Sequence, residues 1–172
     1  MESTSPKWLI VGFMASGKST LLNNIRNKNT DLNICFVDLD KEIAQQVGMS
    51  VPEIIKKNGM GHFREVEKTH LARLLKSSKA TVIALGGGAL RKESVALVSD
   101  HQAIIIWLKT PFATCLERIK QFPEERPLSK LSDQELRELY DQRCAFYEKS
   151  DVQITHEDED KLLQLISSDT IS

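Results

Sequence analysis

The chain has 172 residues, 41% hydrophobic and 27% charged, with a formal net charge of -1 at pH 7. Those values fit one soluble domain with a single core. They exclude the basic footprint of a nucleic-acid binder or of a protein held on an anionic membrane.

The first residues, MESTSPKWLIVG, carry too short an apolar run for a membrane span and lack the form of a secretory leader. Cys35, Cys115 and Cys144 are widely spaced and match no zinc or disulfide pattern. They read as reduced, small buried hydrophobes in a cytoplasmic protein. Residues 1–172 read as a single domain, with Ser/Thr-rich ends at 1–6 and 167–172 predicted to fray.

Short apolar or β-branched runs predict strands at Trp8–Val11, Ile34–Val37, Thr81–Leu85, Ala103–Leu108 and Val152–Thr155. Amphipathic patterns predict helices at Lys18–Arg26, Lys41–Val47, Val51–Lys57, Phe63–Lys76, Pro111–Lys120, Asp133–Tyr147 and Lys161–Ile166. The alternation predicts an α/β fold with a mostly parallel sheet. Ligands of such sheets bind at the carboxyl ends of the strands.

The first of those ends carries Gly12-Phe13-Met14-Ala15-Ser16-Gly17-Lys18-Ser19, followed by Thr20. It matches G-x-x-x-x-G-K-[ST] between a strand and a helix, the phosphate-binding loop. The glycines let backbone N–H groups curl toward phosphate oxygens, and the helix adds its positive end. Lys18 brings a mobile charge to the β/γ-phosphates, and the Ser19 hydroxyl suits Mg²⁺. The loop predicts nucleotide binding without distinguishing kinase, GTPase or ATPase.

The second strand ends in FVDLDKE. On an extended chain Asp38 and Asp40 point to the same side. One suits the surroundings of Mg²⁺ and the other a substrate hydroxyl. Asp40 could instead cap the helix that follows.

In GMGHFREVE, Arg64 falls early in a helix, where a cation is disfavoured, and Glu67 stands three residues on to hold it. The third strand runs into Gly86-Gly87-Gly88. A bulge needs one glycine or two, so three at a strand end favour close approach of a compact ligand to bare backbone. The segment QFPEERPLSKL, with Arg126, reads by itself as a polar loop. Arg143 lies on the helix before the last strand, where a surface role is the ordinary one.

In order, GFMASGKST, VDLD, GMGHFRE, LGGGA, ERPL and R-x-x-x-Y resemble shikimate kinase from about Trp8 to about Thr155. The resemblance implies a three-layer αβα P-loop kinase fold, with a five-stranded parallel sheet in the order 2-3-1-4-5. It implies ATP-dependent phosphorylation of the 3-hydroxyl of shikimate, with ATP as co-substrate and Mg²⁺ as metal. It implies a monomer, with neither nucleic acid nor membrane as partner.

The resemblance also distributes roles. Nucleotide contacts fall to Gly12, Ala15, Ser16, Gly17, Lys18, Ser19 and Thr20. Arg118 lies against the adenine, and Arg126 folds over the phosphates from a lid at about 121–132. The acceptor region spans about 40–70. The acceptor is held by Asp40, Arg64, Gly86, Gly87, Gly88 and Arg143, the two arginines gripping its carboxylate. Ser19 and Asp38 face the metal, and Lys18, Asp40 and Arg126 carry the chemistry. Relatives in that family mostly have Glu where this chain has Met60, and often a large aromatic where it has Ile55. They often have Gly and a basic residue where it has Leu21, Leu22 and Asn23. Two other readings stay open: a related small-molecule kinase of the gluconate or nucleoside monophosphate type, and a kinase-like chain that binds without catalysis.

Overall fold

The computed structural model describes residues 5–29, 33–90, 92–122, 128 and 130–170. Strands β1 (Lys7–Val11), β2 (Cys35–Asp38), β3 (Thr81–Ala84), β4 (Ile104–Leu108) and β5 (Val152–Ile154) form one sheet in the order β2-β3-β1-β4-β5. Every neighbouring pair is parallel. The helices are α1 (Lys18–Lys28), α2 (Leu39–Val47), α3 (Val51–Leu75), α4 (Lys92–Asp100), α5 (Phe112–Gln121), α6 (Asp133–Tyr147) and α7 (Glu159–Thr170). The expected strand order is observed, and each predicted strand agrees with its observed ends to within one residue.

The strands are apolar on both sides because both faces of the sheet are covered. Leu9, Val11, Ile83 and Trp107 face Leu39 and Ile43 of α2, Ile54, Phe63 and Leu71 of α3, and Val98 of α4. Their sequence neighbours Trp8, Ile10, Val82 and Ile106 face the other way, onto α1 and α7. Leu21 and Leu22 of α1, with 0% and 1% exposure, belong to that second layer. Each such side chain removed from water contributes roughly 1.5–3 kcal/mol.

Apart from shifts of one or two residues at the ends of α1 and α5, the helices differ from expectation in four places. Helix α4 was not predicted. Strands β3 and β4 both run parallel to β1, and a parallel connection needs a crossover element rather than a tight turn. Ser94 fastens α4 by donating to Ala89 O at 2.8 Å, and Val98 buries its inner face. The segments expected at 51–57 and 63–76 are one element, α3, bent at Gly59, whose φ of 86° and ψ of 161° leave the helical region. Helix α7 runs to Thr170, past the expected end at Ile166. Helix α2 begins at Leu39, so Asp38 is its cap, accepting from Lys41 N–H at 3.3 Å, and Asp40 lies in the first turn. The two carboxylates therefore do not share an extended strand. Of the cysteines, Cys115 is buried while Cys35 and Cys144 are half-buried.

Register then positions the site. Ala84 of β3 stands opposite both Ile10 of β1 and Asp38 of β2. The chain continues the match when Leu85 N–H donates to Ile10 O at 3.0 Å. The phosphate loop, Asp38–Asp40 and the three glycines thus emerge side by side. Among the described residues no helix is long and apolar enough to cross a membrane.

Candidate active site

The phosphate loop curls tightly, with Ser16 N–H donating to Phe13 O at 3.2 Å. Gly17 caps α1 with a φ of 96°, a conformation that side-chain-bearing residues rarely adopt. A Cβ on Gly17 would also run into the ring of His156. Side chains take up the loop's carbonyls one by one. Lys18 Nζ donates to Gly12 O at 3.0 Å and to Phe13 O at 2.9 Å. Arg118 Nη1 donates to Ala15 O at 3.0 Å. Thr110 Oγ1 at 2.9 Å and His156 Nε2 at 2.7 Å both donate to Ser16 O. In a planar trans peptide the C=O and the following N–H point in opposite directions. Holding Ser16 O from behind therefore turns Gly17 N–H toward the mouth of the loop. The first turn of α1 contains no acidic residue to oppose an anion there.

Ser19 Oγ donates to Asp38 Oδ2 at 2.5 Å, which sets a hydroxyl and a carboxylate together on one wall. Two hard oxygen donors suit Mg²⁺, which takes few protein ligands and completes its shell with phosphate oxygens and water. Among the described residues no group of three or more His, Cys, Asp or Glu side chains could hold a metal by itself. The donor set fits a metal shared with a nucleotide.

The three glycines have three different neighbours. A Cβ on Gly86 would stand 2.8 and 2.9 Å from the Asp40 carboxylate oxygens. One on Gly87 would stand 2.8 Å from the Met14 backbone nitrogen, in the phosphate loop. One on Gly88 would stand 2.7 Å from Arg64 Nη2 and 3.1 Å from Arg143 Nη2. The space given up at these positions is thus taken by a carboxylate, a stretch of phosphate-loop backbone and two guanidinium groups, brought to within contact of bare backbone.

The arginines are held in place. Arg64 Nη1 pairs with Glu67 Oε2 at 2.7 Å, the spacing the sequence suggested, and Glu67 is only 4% exposed. The guanidinium of Arg64 lies 5.2 Å from the Phe63 ring centroid and that of Arg143 5.5 Å from Phe13. Arg64 Nε is buried with no hydrogen-bond partner among the described residues. Such a donor fits an incoming carboxylate.

A cavity of about 690 Å³ joins the two halves. Ala15, Gly17, Lys18, Ser19, Thr20, Asp38, Asp40, Arg64, Gly86, Gly87, Gly88, Arg118 and Arg143 all line it. Val51, Pro52, Ile55, Met60 and Phe63 form an apolar wall, so two positions that depart from the resembled family face the cavity. Gly12 and Ser16 are buried behind the lining. Arg126 lies outside the described residues, as do 123–127 and 129 of the expected lid.

Sequence reasoning missed Thr110 and His156. Thr110 follows β4 at a strand's carboxyl end, where the fold rule directs attention without choosing a residue. His156 stands in the turn after β5 and carries no motif. It reaches the phosphate loop only because β4 and β5 pair.

A parallel αβα sheet, a phosphate loop after its first strand and a cation-lined acceptor cavity beside that loop define a P-loop kinase of the small-molecule type. The family model for shikimate kinase matches residues 14–169. Shikimate kinase of Persephonella marina is 36% identical over 148 residues, covering 86% of this chain and 87% of that protein. The crystal structure of shikimate kinase from Aquifex aeolicus superposes with a TM-score of 0.77 at 30% identity, over 95% of each chain. Shikimate kinase from Acinetobacter baumannii in complex with shikimate gives a TM-score of 0.82 at 29% identity, over 98% of this chain and 97% of that one. The chain belongs to the shikimate kinase family.

Proposed function

We propose that this chain transfers the γ-phosphoryl group of ATP to the 3-hydroxyl of shikimate, giving ADP and shikimate 3-phosphate. The observation that carries the reading is the meeting of Arg64 and Arg143 over Gly88, one residue from where Gly87 abuts the phosphate loop. A carboxylate-bearing acceptor is gripped by the arginine pair while its hydroxyl is presented to the nucleotide.

Each group then has a task. Loop N–H groups and Lys18 hold the phosphates, and Lys18 follows the charge that develops during transfer. Asp40, against Gly86, accepts a hydrogen bond from the acceptor hydroxyl and orients or deprotonates it. Ser19 and Asp38 would hold Mg²⁺, which supplies charge neutralisation on the phosphates. Arg118, beside the loop, serves the nucleotide, and Arg126 is assigned to a lid over 121–132 whose closure keeps water from the γ-phosphoryl group. Catalysis on this reading is mainly positioning and charge stabilisation. A cytoplasmic, monomeric enzyme of one domain completes the proposal.

The test is coupled ADP release with Mg·ATP, with and without shikimate. Shikimate-dependent release, lost in Arg64→Ala, supports the reading. ATP binding without stimulation by shikimate overturns it, and a panel including gluconate and nucleoside monophosphates then identifies the acceptor or shows that there is none.

A further inference from the structure

Tyr147, the last residue of α6, belongs to neither set of substrate contacts assigned above. Its ring is buried at 3% exposure, with its centroid 5.9 Å from that of Trp107. Its hydroxyl lies 3.2 Å from Gly12 O and 2.9 Å from Gly87 O. Burial pushes the phenol up to about 12, so it remains a proton donor at neutral pH.

One O–H therefore faces two carbonyls. Gly12 opens the phosphate loop, and Gly87 is the centre of the glycine loop. The same loops also touch directly, since no Cβ fits between Gly87 and the Met14 nitrogen. The ring cannot follow one loop away from the other without leaving its packing on Trp107. A displacement of either carbonyl is thereby felt by the other.

We propose that Tyr147 is a positioning residue that couples the two substrate sites. Ordering of the phosphate loop by nucleotide passes through the shared hydroxyl to the glycine loop, and ordering by the acceptor passes back. The ordering cost is then met once for two ligands, so each tightens the binding of the other by the same factor. The inference rests on the functional reading above.

The test measures shikimate dissociation constants with and without saturating ADP, for the natural chain and for Tyr147→Phe. ADP should tighten shikimate binding about fivefold or more in the natural chain and by less than about twofold in the variant. Dissociation constants for each ligand alone should stay within about threefold, which a merely structural loss would not achieve while removing the coupling. Equal coupling in both proteins, or binding of both ligands without coupling in the natural chain, overturns the inference alone. Failure of the natural chain to bind shikimate overturns the functional reading and the inference with it. A second measurement needs no variant: ADP alone should slow amide exchange in the peptide spanning 83–90. No slowing there overturns the inference even if Tyr147→Phe fails to fold.

Discussion

Arg64 and Arg143 reach the same glycine from different helices, α3 and α6, and their terminal nitrogens would lie 2.7 and 3.1 Å from a Cβ on Gly88. Two like charges so close repel, and Glu67 pairs with Arg64 at 2.7 Å. On the proposed reading an anionic acceptor adds a counter-charge to both. Arg143→Ala should raise the KM for shikimate about 10- to 100-fold, from the loss of a charged hydrogen bond worth about 1.5–3 kcal/mol. The KM for ATP should stay within about threefold on that basis. Arg143→Lys should recover only part of the loss, because an ammonium cannot form the bidentate fork. Steady-state kinetics with each substrate varied in turn provides the check.

The glycine loop offers a graded series. Gly86→Ala presses on the Asp40 carboxylate, Gly88→Ala on two guanidinium groups, and Gly87→Ala on main-chain Met14 N. Side-chain ends can give way and backbone cannot, so the three should differ. Gly86→Ala should lower kcat, and Gly88→Ala should chiefly raise the KM for shikimate. Gly87→Ala alone should disturb the KM values of both substrates. A matching loss of ATP affinity in all three would contradict this assignment.

Lys18 is part-buried in the phosphate loop and accepted by two of its carbonyls. Lys18→Ala should reduce kcat by about 100-fold or more, the scale for removing a preorganised charge contact at a transferring group. The melting temperature should remain close to that of the natural chain. An active Lys18→Ala enzyme would remove the phosphate loop from the mechanism.

Asp158 closes the turn that carries His156. It accepts from Thr155 N–H at 2.8 Å and Thr155 Oγ1 at 2.9 Å, and from Lys161 Nζ at 2.6 Å. The bond from Lys161, then those from Thr155, hold its carboxyl down to about 2 from the ordinary 3.8. A depressed carboxyl contributes stability that is present above the unfolded value and is lost as pH falls through the folded one. The natural chain should therefore lose melting temperature between about pH 4 and about pH 2 more steeply than Asp158→Asn, and the two curves should converge at the acid end. Thermal melts monitored by circular dichroism across that range would decide. Parallel curves would mean that the cap contributes nothing.

Much of the frame is written locally. Runs such as IIIWL at β4 are too short and too apolar for surface helices, and strands buried on both faces are what they can form. The phosphate loop is a contiguous motif whose glycines, lysine and serine serve one ligand, so its meaning survives without the fold. Helix α4 escaped because its apolar residues, Val95 to Val98, form one contiguous run without helical spacing, and its place is required by parallel topology rather than by periodicity. The start of α2 was misplaced because the capping side chain, Asp38, is also the last residue of β2.

The sequence by itself determined the strand succession, the phosphate loop and the presence of three glycines and two arginines, because each is a matter of local composition or spacing. Only the tertiary structure decided what these features are for one another. Pairing of β1 with β3, in one register, sets Gly87 against Met14. Packing of α3 and α6 near that edge brings Arg64 and Arg143 to Gly88, and leaves Tyr147 between two loops 75 residues apart in the sequence, Gly12 and Gly87. Pairing of β4 with β5 carries His156 to the carbonyl of Ser16. Contacts between residues so far apart along the chain have no local periodicity to betray them, since they exist only once the sheet has brought its carboxyl ends together.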